Sequence, residues 1–336
     1  MPLGGVPTSR GAMGDLGSIM TRGGKKPLKL AQAASGGGAG SGADGWSRAP
    51  IDVTVLNSAD AQVVVIVDRM SHGKIKLTNG RLVTLLNKGL LRVNVEKISL
   101  YGGRGTGRVS VDGGRGVPQV SASMLINGVS ALPLLKDAAE FNWIDGRGQI
   151  ALNVAGRGNS QDAIIHNLNG DGRVTFNDGA IVGINIPKLV RSFQSGQISG
   201  FTKNASQKTD FSELSATFAI AQGVATNKDL QLVGPLLRMT GQGLINIHLK
   251  SVDYNLKPKL VASLQGQGGE GALAGIEIPL MVRGPWASPS ITPDLTGILT
   301  NSDQTVDAAK KIFKGLKKKM EGGDVEGMIK GFFGGQ

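Results

Sequence analysis

The chain of 336 residues contains no cysteine, and only 4% of its residues are aromatic. Without cysteine it has no disulfide scaffold and no thiolate-bound metal, although this does not choose a compartment. The few aromatics argue against a surface that stacks single-stranded nucleic acid, because such a surface needs exposed rings. Fully apolar runs, such as residues 63–67, fall far short of the ~20 residues that a membrane-spanning helix needs. We also see no signal peptide, because no compact apolar core follows the first basic residue.

Motifs of known catalytic chemistry are missing as well. The sequence has no Gly-x-Ser-x-Gly elbow, no Walker loop and no His-Glu-x-x-His motif. The glycine motif at residues 266–271 precedes an apolar strand pattern and not the helix that a dinucleotide site requires, so we interpret it as a turn. His72, His166 and His248 lack ligand spacing, so we expect structural or surface roles for them. We therefore predict no catalytic residue, no metal, no cofactor and no enzyme, although a carboxylate pair for glycoside hydrolysis stays open.

Acidic residues are few relative to basic ones, which gives a formal charge of +12. A basic chain can bind nucleic acid or an anionic membrane, so the position of the charge decides its meaning. Much of it lies at the two ends: Arg10, Arg22, Lys25, Lys26, Lys310, Lys311, Lys314, Lys317, Lys318 and Lys319. This distribution favours solvated or membrane-facing charge, whereas a nucleic-acid binder would gather it on one folded face.

Glycine is abundant, with 52 residues, and short alternating runs lie between the glycine-rich turns. Apolar residues alternate with polar or small ones through residues 209–256, which is the pattern of strands with one apolar face. We therefore predict a mainly β protein: a long, twisted, antiparallel sheet that forms an apolar groove, with short helices at turns. The predicted helices lie at 129–141, 160–168 (with Ser160 as N-cap) and 187–194.

Local signals predict turns and one irregular strand. Asn79-Gly80 favours a tight hairpin, and the alternation slips across Glu96-Lys97 as it would at a bulge. Tyr101-Gly102 begins another hairpin; a phosphate loop would lead into a helix, but a strand pattern follows. The pattern Gly-x-Gly-x-apolar recurs at Gly105, Gly146, Gly170 and Gly241, which suggests a repeated unit of a turn followed by a strand.

Three regions follow from composition. Residues 1–45 are predicted to be a disordered linker rich in Gly, Ser and Ala, 46–295 a β-rich domain, and 296–336 a linker with a basic amphipathic helix. In that helix an apolar stripe, with Phe313 in it, opposes the lysines. It is suited to an anionic membrane surface or to docking on the sheet or a partner. The membrane-surface candidates are Lys310, Lys311, Lys314, Lys317, Lys318 and Phe313.

Several steps of the sequence, in their order, resemble the AsmA family of bacterial envelope proteins. They include Thr209-Asp210-Phe211, Gly234-Pro235-Leu236-Leu237, Val252-Asp253-Tyr254 with Pro258, and Ile278-Pro279 followed by Arg283-Gly284-Pro285-Trp286. Similarity to this family covers residues 46–295 and is firmest after residue 209. Family members usually begin with a membrane anchor and a long N-terminal region, which are not visible here. We therefore expect a C-terminal portion, or a truncated version, of a longer protein.

The resemblance implies a protein of the Gram-negative periplasm, associated with the inner membrane in its full-length form. It further implies a role in outer-membrane biogenesis and lipid homeostasis, in which phospholipid acyl chains are held or passed along the groove. We expect these residues to line the groove: Leu214, Phe218, Ile220, Ile245, Ile247, Leu249, Tyr254 and Leu256. The expected partners are phospholipid or a membrane surface and envelope proteins, without nucleic acid. The alternative is a scaffolding periplasmic protein that binds protein partners without lipid.

Overall fold

A computed structural model describes residues 8–11, 45–114, 116–194, 204, 206–261, 277 and 279–294. It shows one sheet whose strands follow one another in sequence order. The strands are β1 Thr8–Gly11, β2 Ala61–His72, β3 Ile75–Asn87, β4 Leu90–Leu100, β5 Gly103–Asp112, β6 Gln119–Ser130, β7 Ile144–Arg157, β8 Asn169–Val182, β9 Lys208–Ala221, β10 Val224–Val233, β11 Leu237–Asn246, β12 Ser251–Leu260, β13 Leu280–Pro285 and β14 Ser290–Pro293. Within the described residues three short α-helices, α1 Ala131–Ala139, α2 Gln161–His166 and α3 Ile186–Gln194, lie between strands, and a 3₁₀ turn at Thr54–Asn57 precedes β2.

From β2 to β14 each strand pairs antiparallel with the next, and the sheet is not closed on itself. At ~4.8 Å per strand, this part of the sheet extends roughly 60 Å across its strands. The prediction of a mainly β protein with a long antiparallel sheet is therefore confirmed. One strand, β1, lies within the segment predicted to be linker, and it pairs in parallel with β2. The predicted C-terminal helix lies outside the described residues.

The turn predictions have mixed outcomes. Tyr101 and Gly102, at φ values of 45° and 79°, form the two-residue turn between β4 and β5, which confirms the hairpin. The predicted bulge at Glu96-Lys97 is also confirmed, because the β4–β5 register shifts there. The hairpin predicted at Asn79-Gly80 is wrong: both residues lie inside β3, at a register shift against β4. Asn79 does adopt a positive φ of 49°, but it serves a bulge and not a turn.

The sheet has one apolar and one polar face. Met124, Leu152 and Gly172 face one another on β6, β7 and β8, and the adjacent row of Ser123, Asn153 and Asp171 points to the opposite side. Since side chains alternate along a strand, the ladder extends this division from β4 to β13. On β2 and β3 the second face also carries apolar residues: Val64, Ile66, Val83 and Leu85. We name the two sides the apolar face and the polar face.

Two helices cover one end of the apolar face. Leu189 and Val190 of α3 and Ala131 of α1 pack in a buried cluster with Phe176 and Leu214 of the sheet. The three predicted helices are all present: α1 and α2 are shorter at both ends than predicted, and α3 begins one residue earlier. Ser160 caps α2 as expected, because its hydroxyl accepts a hydrogen bond from the backbone N–H of Ala163 at 3.1 Å.

Residues 46–57 follow the opposite ends of the strands. The indole N–H of Trp46 donates to the carbonyl of Ile247 at 2.9 Å, next to the β11–β12 turn. Further along, the N–H of Ile51 donates to the carbonyl of Asn159 at 2.8 Å, before α2. Helices α1 and α3 therefore lie at one end of the strands, and this segment together with α2 lies at the other.

Candidate functional site

The middle of the apolar face is only partly covered. Leu152 is 36% exposed, and its neighbours on the surrounding strands are half-buried. We name this area the open strip; its members are Val109, Ala122, Met124, Ile126, Ile150, Leu152, Val154, Gly172, Val174, Phe218, Ile245, Val252, Leu256 and Val282. A second packed layer would bury such side chains, and among the described residues no such layer lies on them.

Glycines allow large side chains to lie flat on this face. A Cβ at Gly107 would lie 2.5 Å from the Sδ of Met124, and one at Gly243 would lie 2.6 Å from the Cγ of Tyr254. The same relation holds at Gly241, where an added Cβ would lie 2.6 Å from the Cδ2 of Leu256. Each of these side chains therefore leans across a glycine of the neighbouring strand, which keeps the open strip shallow.

The glycine pairs were predicted to be turns that precede strands, and this prediction is wrong. They lie inside β5, β7, β8 and β11, with their α-carbons on the apolar face. At Gly172 of β8, by contrast, the nearest atoms to an added Cβ are the Cδ1 of Leu152 at 3.6 Å and the carbonyl of Ala151 at 3.7 Å. Gly172 therefore leaves an unfilled depression in the open strip.

Most of the predicted groove residues share the apolar face, but they do not all line its open part. Leu214 and Ile220 are buried there, while Phe218, Ile245 and Leu256 are half-buried members of the open strip. Tyr254 lies on the same face and is buried.

Ile247 and Leu249 lie apart from this set. Both belong to the turn after β11, where Leu249 is 67% exposed. The strand alternation predicted to continue to Leu249 in fact ends at Asn246. The strip also includes residues of β5 to β8 that the prediction did not name.

A polar residue interrupts the apolar face on β10. Asn227 is 1% exposed and lies at a register shift between β9 and β10. Its Nδ2 donates to the carbonyl of Thr217 at 2.8 Å and to the Oδ1 of Asp229 at 2.7 Å. That Oδ1 in turn accepts the backbone N–H of Thr217 at 2.9 Å. Two side chains thus replace the ladder bonds that the irregularity removes from Thr217.

Two further properties distinguish this irregularity. Hydrogen bonds from the hydroxyl and then the backbone N–H of Thr217 lower the pKa of Asp229, which therefore stays ionised. The Oδ1 of Asn227 is buried and has no partner among the described residues. Sequence reasoning missed this site, although an asparagine two residues after Ala225 in an apolar register is a visible signal.

Tyr254 lies near this asparagine. Gly243 pairs with Asn227 on one side and with Tyr254 on the other, and the tyrosine ring lies across Gly243. Burial raises the pKa of Tyr254, and the negative charge of Asp229 raises it further. The phenol is therefore protonated at physiological pH and can donate a hydrogen bond.

The histidines do not form a metal site in the part of the chain that the structure describes. The sequence suggested that they are scattered, but the rings of His166 and His248 meet edge to face at 4.9 Å. The Nε2 of His248 lies 3.0 Å from the Oδ1 of Asp162, at the end of the strands away from α1 and α3. This group joins α2 to the β11–β12 turn, which is a structural role.

The membrane-surface candidates Lys310, Lys311, Lys314, Lys317, Lys318 and Phe313 lie outside the described residues. Among the residues that are described, no helix has the length and apolarity to cross a membrane.

The family model of the AsmA family matches residues 13–230, well over half of the chain. Protein AsmA of Escherichia coli (strain K12) is 24% identical over 207 residues, which is 59% of this chain and 33% of that protein. The aligned part of this chain thus spans about a third of the length of that relative. No solved structure matches the chain.

Proposed function

The chain belongs to the AsmA family, and from this premise we propose that it holds or passes phospholipid acyl chains along the open strip of its sheet. Membership suggests a role in the biogenesis of the cell envelope, and AsmA proteins are not known as enzymes. The proposal places the chain at the periplasmic side of the inner membrane, with phospholipid or a membrane surface as partner and no nucleic acid.

The half-exposed apolar face is the observation that carries this proposal. A soluble domain normally buries a continuous apolar area of this length, and a contiguous exposed patch marks a binding surface. The side chains that lie across Gly107, Gly241 and Gly243 stay close to the sheet, which supports a shallow apolar surface for an extended acyl chain. Helices α1 and α3 at one end of the strands, and α2 with residues 46–57 at the other, favour a ligand that runs across the strands.

The energy of acyl-chain burial is sufficient for such binding. Each methylene removed from water is worth about 0.8 kcal/mol, so roughly ten methylenes in the strip give about 8 kcal/mol before the entropic cost of association. Because the strip offers few polar groups, this contribution does not depend on the head group. A protein of this kind would accept several phospholipids that share an acyl chain length.

The experiment is mass spectrometry of organic extracts from the purified chain, with one variant on each face. Leu152 is 36% exposed on the apolar face, and Leu125, on the neighbouring strand, is 39% exposed on the polar face. We expect phospholipid to co-purify with the native chain and with Leu125→Asp, but to be lost from Leu152→Asp. Circular dichroism checks that both variants are folded.

Each alternative outcome has a definite meaning. Equal phospholipid in both variants would place the lipid elsewhere and contradict the proposal. If no lipid co-purifies with the native chain, the result would favour the alternative function, a scaffold of the cell envelope that binds protein partners without lipid.

A further inference from the structure

One polar point lies beside the open strip. Asn227 and Tyr254 form it on β10 and β12, on either side of Gly243, and the tyrosine ring lies across that glycine. Within the described residues, the Oδ1 of Asn227 is the buried side-chain oxygen or nitrogen that has no hydrogen-bond partner. An unpaired buried acceptor is costly, so a partner for it lowers the free energy of the folded chain.

The position of Asn227 has a structural reason, but its unpaired oxygen does not. Its amide nitrogen is needed because Thr217 loses a ladder bond at the irregularity between β9 and β10. A side chain that supplies this nitrogen as an amide also brings a carbonyl oxygen to the apolar face. That oxygen is paired only when a donor reaches it, and the hydrocarbon side chains of the strip supply none.

We infer that Asn227 and Tyr254 together bind a neutral donor group, a hydroxyl or an amide N–H, carried by an acyl-chain ligand in the open strip. The inference rests on the proposed function and narrows its ligand class. A hydroxyl can donate to the Oδ1 of Asn227 and accept from the phenol of Tyr254 at the same time, and an amide offers the same pair of functions. The ester groups of an ordinary diacyl lipid only accept, so they leave the asparagine oxygen unpaired.

Access to the asparagine requires a side-chain movement. The Oδ1 of Asn227 is covered in the free chain, so a ligand must displace a neighbour to reach it. The ring of Tyr254 lies across Gly243, the residue that pairs with Asn227, so the inference assigns this movement to the tyrosine. Its movement opens the polar point and keeps the phenol within the strip as the second hydrogen-bonding group.

The test compares stearic acid with hydroxylated stearic acids whose hydroxyl lies near the carboxylate or in mid-chain. Affinities are measured by displacement of a fluorescent fatty acid from the native chain, Asn227→Leu and Tyr254→Phe. We expect the best hydroxylated analogue to bind about five-fold more tightly than stearic acid to the native chain, as one net hydrogen bond allows. Both variants should lose this preference while still binding stearic acid.

The outcomes separate this inference from the proposed function. If stearic acid and every hydroxylated analogue bind the native chain equally, the inferred hydrogen bonds to Asn227 and Tyr254 are refuted. The proposal that the open strip binds acyl chains then stands. If no fatty acid binds, both fail. Should Asn227→Leu not fold, Tyr254→Phe decides alone, because it removes a single oxygen and keeps the ring over Gly243: a retained preference overturns the inference, and a lost preference supports it.

Discussion

Filling the depression at Gly172 should block the open strip without unfolding the sheet. An added Cβ meets only the Cδ1 of Leu152 at 3.6 Å and the carbonyl of Ala151 at 3.7 Å, which are ordinary van der Waals separations. Gly172 also lies in β8 without a positive φ, so a side chain at this position requires no change in the backbone dihedral angles. Since glycine weakens a strand interior, the substitution should leave the free energy of unfolding unchanged or raise it by about 0.5–1 kcal/mol.

The same leucine should reduce lipid binding strongly. Its side chain occupies the space of roughly three methylenes of an acyl chain, and their burial is worth about 2.4 kcal/mol. This corresponds to a roughly fifty-fold weaker affinity. The matched control is Ala151→Leu, which adds a leucine on the polar face of the neighbouring strand and should bind lipid as the native chain does.

Displacement of a fluorescent fatty acid measures the affinity, and urea unfolding measures the stability of the same samples. A stable Gly172→Leu chain that binds lipid with native affinity would refute the assignment of the open strip. Equal weakening by Ala151→Leu would also refute it, because that side chain lies on the opposite face.

Further substitutions test the packing and the electrostatics. Phe176→Ala should destabilise the fold by about 3–5 kcal/mol in urea unfolding, because the ring is fully buried between the sheet and its helices. Gly243→Ala should cost about 1–3 kcal/mol, since the new Cβ would collide with the backbone carbonyl of Asp253, whereas Gly172→Ala should cost nothing. The lowered pKa of Asp229 contributes stability that is present above its unfolded pKa and lost as the pH falls through its folded pKa. Asp229→Asn should therefore show a smaller loss of unfolding free energy on acidification than the native chain, and an identical pH profile would contradict this.

Alternation of side chains predicted the sheet and its bulge well, because burial of one face imposes a period of two. The slip at Glu96-Lys97 was visible since apolar residues on either side of it fall in opposite registers. The same signal failed at Ile247 and Leu249, which continue the alternation of β11 into a turn. An apolar pattern does not mark where a strand ends when the turn itself contains apolar residues.

Glycine positions were misinterpreted for a related reason. Asn79-Gly80 and the repeated Gly-x-Gly steps suggest turns in a linear sequence, because both residue types favour positive φ. In the sheet they serve a bulge and the close approach of large neighbouring side chains. That role depends on which strand lies beside the glycine, and sequence spacing alone does not supply this partner. At Asn227 the polar residue in an apolar register was visible, but the ladder bond that it replaces depends on the pairing of β9 with β10, which the sequence does not supply.

The most direct test of the central proposal is photo-crosslinking in living cells. A photoreactive phenylalanine analogue replaces Leu152 on the apolar face or, as the control, Leu125 on the polar face, two leucines of similar exposure on adjacent strands. Mass spectrometry of the crosslinked chain then identifies the adducts. We predict phospholipid adducts at position 152 and none at position 125. Adducts with protein alone at position 152, or equal lipid labelling at both positions, would contradict the proposal that the open strip carries acyl chains.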